Sequence, residues 1–302
     1  SPVTSFDIQN VSPGTPNGYK YQWLPFVTRL PGPPGPLDYG EWQAYNSGPM
    51  DIGKGYIVKG PTGHPATPSN FTATFSGTPN NGQITQNIQR STYTGANYFY
   101  NPYGNDLLMV TSDDDNWNLI GNPYPSAIDA IDFLTHTGNG NITGSVYLWT
   151  HDTDIAIAPD PFYDDYVYNY DVADYIVYNS SGPSIPNGFN GNIGAGQGFF
   201  VLMTDAATTN ETVTFDNTMR SSAYANGQFY RTSNPSDIDG SAVNRIWLDY
   251  VNPSGQTNTT LVAYMDGATN DEDRMFDAPT TTGNGLDLYS LIDEKAYLIQ
   301  GR

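Results

Sequence analysis

The chain has 302 residues and carries 31 Asp and Glu against 11 Lys and Arg, a formal charge of -20 at pH 7. That balance argues against nucleic acid and anionic membranes, which need Lys and Arg to displace counterions; zero Cys removes disulfides, thiolate zinc and a cysteine nucleophile. Aromatic residues at 14% contradict disorder, and 31 Gly with 23 Pro interrupt the chain too often for long helices.

Taken from the N-terminus, Ser1–Thr4 lack the basic and apolar regions of a signal peptide. No apolar run approaches the ~20 residues of a membrane helix, so membrane insertion is not expected. The first predicted strand is Tyr19–Val27, followed by the stiff loop Pro31–Pro36 and a polar stretch holding Trp42. Strands are then predicted at Gly55–Lys59, Phe71–Phe75, Gln83–Gln89 and Trp117–Ile120. Each is short, rich in β-branched or aromatic residues, and bounded by Gly, Pro, Asn or Asp. The one expected helix is Ala127–Thr135: Ser126 is its expected N-cap, Asp129 returns the bond at N3, and Ile128, Ile131 and Leu134 share a face. Further strands are predicted at Val146–Thr150, Asp174–Tyr178, Gly198–Met203, Thr212–Phe215, Arg245–Val251 and Thr259–Met265, with a strand-like end at Ala296–Gln300. Many short strands without alternating long helices imply an all-β protein: tandem antiparallel β-sandwiches of jelly-roll type, with one short helix and long loops. The expected boundaries are 1–112, 113–240 and 241–302, the last being the start of a truncated third β module.

The chain also repeats itself. Ser1-Pro2-Val3 with Phe6 resembles Asn122-Pro123-Tyr124 with Phe133; Tyr21-Gln22-Trp23 resembles Tyr147-Leu148-Trp149. Gly53-Lys54-Gly55-Tyr56-Ile57-Val58 resembles Gly196-Gln197-Gly198-Phe199-Phe200-Val201, and Phe71–Phe75 resembles Glu211–Phe215. The order is the same throughout, and the second copy carries an insertion rich in Tyr and Asp after Trp149. The first copy starts where the strand before Asn122 would have ended, so its opening strand is expected to lie outside this chain, an excised piece of a larger protein.

Three acidic clusters are candidate cation sites, since calcium takes six to eight oxygens from carboxylates, amides and carbonyls. They are Asp113–Asp115, the insertion Asp160–Asp174, and a loop carrying Asp266, Asn270, Asp271, Asp273 and Asp277. The third is the calcium candidate; each also reads as a solvated acidic loop. In the insertion, Tyr163, Tyr166, Tyr168 and Tyr170 alternate with Asp, and their flat rings suit stacking on sugars or docking of a protein. The same tyrosines would serve equally as packing over sandwich edges. Trp42 is the tryptophan expected at the surface and joins them as a ligand-binding candidate. His64, His136 and His151 are far apart, and no nucleophile elbow, zinc helix or phosphate loop occurs, so no catalytic residue is assigned.

The run Asp115-Asn116-Trp117-Asn118-Leu119-Ile120-Gly121-Asn122-Pro123-Tyr124-Pro125-Ser126-Ala127-Ile128-Asp129 resembles a segment of large secreted and cell-surface proteins of Bacteroidota, exported by the type IX system. Gly77–Gly82, Ile142–Gly144, Asn244–Leu248 and Gly267–Asn270 fit the same resemblance. It implies a secreted or cell-surface location and no particular activity. The expected function is therefore a non-catalytic, adhesin-like β-sandwich module that attaches to a glycan or surface protein. A structural spacer or filament segment, and an accessory region of a polysaccharide-degrading enzyme or protease, are the alternatives; neighbouring domains of the parent chain are expected partners in each.

Overall fold

In a computed structural model, the structure describes residues 1–11, 20–28, 38–58, 72–90, 98–100, 108–110, 116–150, 175–186, 188–224, 226, 244–253, 257–280 and 288–302. The first third contributes β1 (Lys20–Thr28), β2 (Asp38–Ala44), β3 (Tyr56–Val58), β4 (Ile84–Gln89), β5 (Tyr98–Tyr100) and β6 (Leu108–Val110). The middle contributes β7 (Trp117–Gly121), β8 (Ile128–Asp129), α1 (Ala130–Thr135), β9 (Val146–Trp149), β10 (Tyr175–Asn179), β11 (Gly182–Pro183), β12 (Asn192–Ile193), β13 (Gly198–Leu202) and β14 (Asn210–Phe215). The last part contributes β15 (Asn244–Val251), β16 (Thr257–Tyr264), β17 (Ala278–Pro279), β18 (Ser290–Ile292) and β19 (Lys295–Gly301). The fold is all-β, built of layered antiparallel sheets; α1 is the one α-helix among the described residues, and β16 with β19 is a parallel pair.

A five-stranded sheet in the order β11-β10-β9-β13-β7 forms the middle layer. Its strands are apolar on both faces because both are covered. Successive strand residues point to opposite sides, so Phe199 and Val201 of β13 enter one core while Phe200 and Leu202 enter the other. Ile120, Leu148 and Ile176 join the first core, beneath Phe133 and Leu134 of α1, Val213 and Phe215 of β14, and Ile88 of β4. Phe133 stacks on Phe215 at 4.9 Å and meets Phe199 edge-on at 5.5 Å. Leu119, Tyr147 and Val177 join the second core, against Leu261, Ala263, Ala278 and Ile299 of the C-terminal sheet. Each buried Val, Leu, Ile or Phe side chain among these contributes about 1.5–3 kcal/mol of transfer free energy.

The helix begins at Ala130 rather than Ala127. Asp129 is its N-cap and accepts from the N–H groups of Ile131 and Asp132. Ile128 and Asp129 are extended instead, pairing with Ile193 and Asn192, and the Ser126 hydroxyl accepts from Arg220 Nε at 2.7 Å. Of the expected strand Phe71–Phe75, residues 72–75 join no ladder among the described residues, and Phe71 lies outside them. The polar stretch around Trp42 is a strand, β2, paired with β1.

Two parts of the molecule share one hydrogen-bonding plan. In β1–β3, Trp23 pairs with Trp42, and Tyr21 pairs with both Ala44 and Ile57. In β9, β10 and β13, Trp149 pairs with Tyr175, and Tyr147 pairs with both Val177 and Phe200. Ile8 N–H donates to the Gly48 carbonyl at 3.0 Å, as Ala130 N–H does to Gly191 at 2.8 Å. Both glycines sit at positive φ, +121° and +90°, where a side chain would be strained. Asp7 caps a short 3-10 turn, Ile8–Asn10, with the same backbone angles with which Asp129 caps α1.

Candidate ligand-binding face

At matching positions the two parts carry opposite chemistry. In the second, Leu148, Ile176 and Phe199 lie side by side and are buried. In the first, the corresponding positions are Gln22, Gln43 and Tyr56, and direct pairing across β1, β2 and β3 puts all three on one face. Lys54 Nζ donates to Gln22 Oε1 at 2.6 Å, and Gln22 Nε2 donates to Gln43 Oε1 at 2.6 Å. Polar bonds therefore run across the face where the other part has a core.

Two aromatic rings border this run. The Tyr45 and Tyr56 rings lie 5.4 Å apart at 36°, and Lys54 Nζ sits 5.9 Å from the Tyr56 centroid. Both hydroxyls are committed to the adjoining turn: Tyr45 donates to the Pro49 carbonyl, and Tyr56 accepts from Asp51 N–H. Burial is the main cause raising the Tyr56 phenol above its ordinary value, and it also lowers the Lys54 ammonium against the opposing pull of Asp51. Gln43 is exposed, while Gln22, Lys54, Tyr45 and Tyr56 are half-buried. The face thus offers an amide with both nitrogen hydrogens open to a ligand, an ammonium with spare donors, and fixed rings. Such groups match hydroxyl-rich, uncharged molecules with apolar ring faces.

Of the residues expected from sequence, Trp42 lies on β2 in register with Trp23, beside Gln43. Tyr163, Tyr166, Tyr168 and Tyr170 lie outside the described residues, as do Asp113–Asp115. The loop Asp266–Asp277 is described, and its carboxylates hold backbone. Asp277 is buried; its two oxygens accept from Asp273 N–H at 2.6 Å and Gly301 N–H at 2.8 Å. Asp273 accepts in turn from Thr269 N–H. Asp266, Asn270 and Asp271 are exposed. Among the described residues, no three His, Asp or Glu side chains converge as cation ligands. The loop acts as a clasp: Arg274 donates to the carbonyls of Ile142, Leu134 and Asn139, where α1 and the turn after it leave acceptors open.

The polar residues of the run 115–129 are consumed in the same manner. Asn118 exchanges bonds with the backbone of Gln89, doing the work of a strand neighbour. Asn122, fully buried, donates to the carbonyls of Ser126, Ile193 and Gly194 and accepts from Tyr124 N–H. Tyr124 donates to the Gly82 carbonyl, and Arg220 lies over its ring at 4.6 Å. His136 closes a turn through Gly138 N–H on one nitrogen and Asp216 on the other.

Sequence reasoning missed Gln22, Gln43, Lys54, Tyr45 and Tyr56. The signal was the mismatch between matched positions, Gln22 for Leu148 and Tyr56 for Phe199. The model of a family described as a domain of unknown function (DUF8693) matches residues 1–302. No curated protein and no solved structure matches the chain.

Proposed function

We propose that this chain, which belongs to the DUF8693 family, is a non-catalytic β-sandwich attachment module of a secreted or cell-surface protein, binding a neutral glycan across β1–β3. The observation that carries this reading is the run Lys54–Gln22–Gln43 bordered by Tyr45 and Tyr56. Amides supply donor and acceptor to vicinal hydroxyls, and phenol rings supply a surface for the apolar face of a sugar. A charge of -20 disfavours uronate and sulfated polymers as the ligand. The secreted or surface location rests on the resemblance carried by residues 115–129.

The test is affinity electrophoresis and calorimetry of the chain against neutral glucans, mannans and xylans, with polygalacturonate as the acidic control. The variant Gln22→Leu with Gln43→Ile copies the residues that fold well at the matching positions. Binding to a neutral polymer, weakened at least tenfold in that variant, is expected. Binding that the double variant leaves intact would move the site elsewhere.

A further inference from the structure

The C-terminal sheet has an edge built unlike those of most monomeric β-proteins. Strand β15 is eight residues long and pairs with β16 in unbroken register, from Asn244 opposite Tyr264 to Val251 opposite Thr257. Among the described residues no strand lies on its other side. Natural edge strands are blunted by charged residues, Pro, bulges or shortness; β15, Asn-Arg-Ile-Trp-Leu-Asp-Tyr-Val, is long and free of Lys, Pro and bulges, and its two charges, Arg245 and Asp249, are of opposite sign. Its outward residues Ile246, Leu248 and Tyr250 are 48%, 50% and 49% exposed. Of the other large exposed hydrophobic residues among those described, Val251 ends the same strand and Tyr264 lies opposite Asn244 on β16, while Tyr289 and Leu291 lie at β18, beyond β16 and β19. Ile246, Leu248 and Tyr250 in a row on an open edge strand, with Tyr264 opposite Asn244, call for an occupant.

The strand itself identifies the occupant. Around Trp247 its sequence is pseudo-palindromic in chemistry: Arg245 and Ile246 precede it, Leu248 and Asp249 follow. An antiparallel copy centred on Trp247 sets Arg245 opposite Asp249 twice and Ile246 opposite Leu248 twice. Directly opposite residues point to the same side, so both charge pairs fall on the face towards the middle sheet and both aliphatic pairs on the outer face. Centring the pair on Ile246 or Leu248 instead opposes a charge to Trp247 and loses both ion pairs. Arg245 uses Nε on the Ser181 carbonyl, and Asp249 accepts from Thr259 Oγ1; two guanidinium nitrogens and one carboxylate oxygen remain for the partner.

We infer that β15 pairs antiparallel with β15 of a second copy of this chain, continuing the C-terminal sheet across a two-fold axis at Trp247. The pairing consumes both edges and closes as a dimer. It is independent of the β1–β3 face, which shares none of these residues.

Sedimentation velocity of the 302-residue chain from 1 to 200 μM, with light scattering, tests the inference. A monomer–dimer equilibrium is expected. Ile246→Lys, at an exposed position, and Asp249→Arg, which opposes Arg to Arg, should each weaken the dimer at least tenfold. Adding Arg245→Asp to the latter should restore it by swapping the pair. A monomer throughout, a dimer indifferent to Ile246→Lys, or an open series of higher oligomers would each overturn it. Circular dichroism of each variant separates lost pairing from lost folding, and Ile246→Lys leaves glycan binding unchanged if the two surfaces are separate.

Discussion

Asn side chains stand in for backbone in this molecule. Asn122 meets four backbone groups, and Asn139 accepts from Thr214 N–H while donating to the carbonyls of Phe133 and Thr214. Leaving one such buried group unpaired costs about 1–3 kcal/mol, so Asn122→Ala should lose about 3 kcal/mol in urea unfolding. In the sequence these residues read as solvent-facing, because nothing in their identity says which carbonyls will surround them. Asp277 supplies a pH signature. Burial is the chief cause raising its carboxyl above the ordinary 3.8, opposed by the N–H groups of Asp273 and Gly301; burial, then Asp129 and Asp216, raises Asp132 in the same direction. A carboxyl raised in the folded state adds stability below its unfolded pKa and loses it as pH rises through the folded value. The melting temperature should therefore climb as pH falls through that raised value towards 3.8, and Asp277→Asn should flatten the climb. Below about 3.8 the trend reverses at Asp216, which the Thr218 hydroxyl holds low.

Strands were legible from composition, since Trp117–Gly121, Val146–Trp149 and Gly198–Leu202 are short and rich in aromatic and apolar residues. Strand β2 was not, because Asp38-Tyr-Gly-Glu-Trp-Gln-Ala lacks β-branched residues and its pairing comes from β1. The start of α1 was misplaced because Ser126 and Asp129 are both good caps, and pairing of Ile128 with Ile193 decides between them. Asp129→Ala should cost about 1 kcal/mol by loss of the cap. The clasp after β16 makes a sharper test. A Cβ on Gly144 would lie 1.8 Å from the Arg274 carbonyl oxygen, so Gly144→Ala must push the loop off and should destabilise by about 3 kcal/mol. Because Asp273 and Asp277 already bind N–H donors, chelator is expected to leave the melt unchanged. A drop of several degrees would instead assign calcium to the exposed Asp266, Asn270 and Asp271. Part of the β1–β3 face was legible in principle: Gln22 and Tyr56 occupy positions that are Leu148 and Phe199 in the matching part, whereas Gln43 needed the pairing of β2.

At the scale of the molecule, the three sequence segments are interleaved. Strand β4, from residues 1–112, pairs along its whole length with β14, from residues 113–240. Lys54 bridges Ile120, and Gly55 and Gly121 exchange bonds across the same line with Leu119 and Gly53. On the opposite face, Leu119, Tyr147, Val177, Phe200 and Leu202 are covered by the sheet that begins at β15. Residues 113–240 alone would expose both of these surfaces. Losing cover from five apolar side chains at about 1.5–3 kcal/mol each removes about as much as a whole domain's stability of 5–15 kcal/mol. The full chain should therefore unfold in one calorimetric transition, with van't Hoff and calorimetric enthalpies equal. Residues 113–240 expressed alone should show no cooperative melt. Two resolved transitions, or a folded middle fragment, would mean that the Arg274 clasp and the β4–β14 pairing join units that are each stable without them.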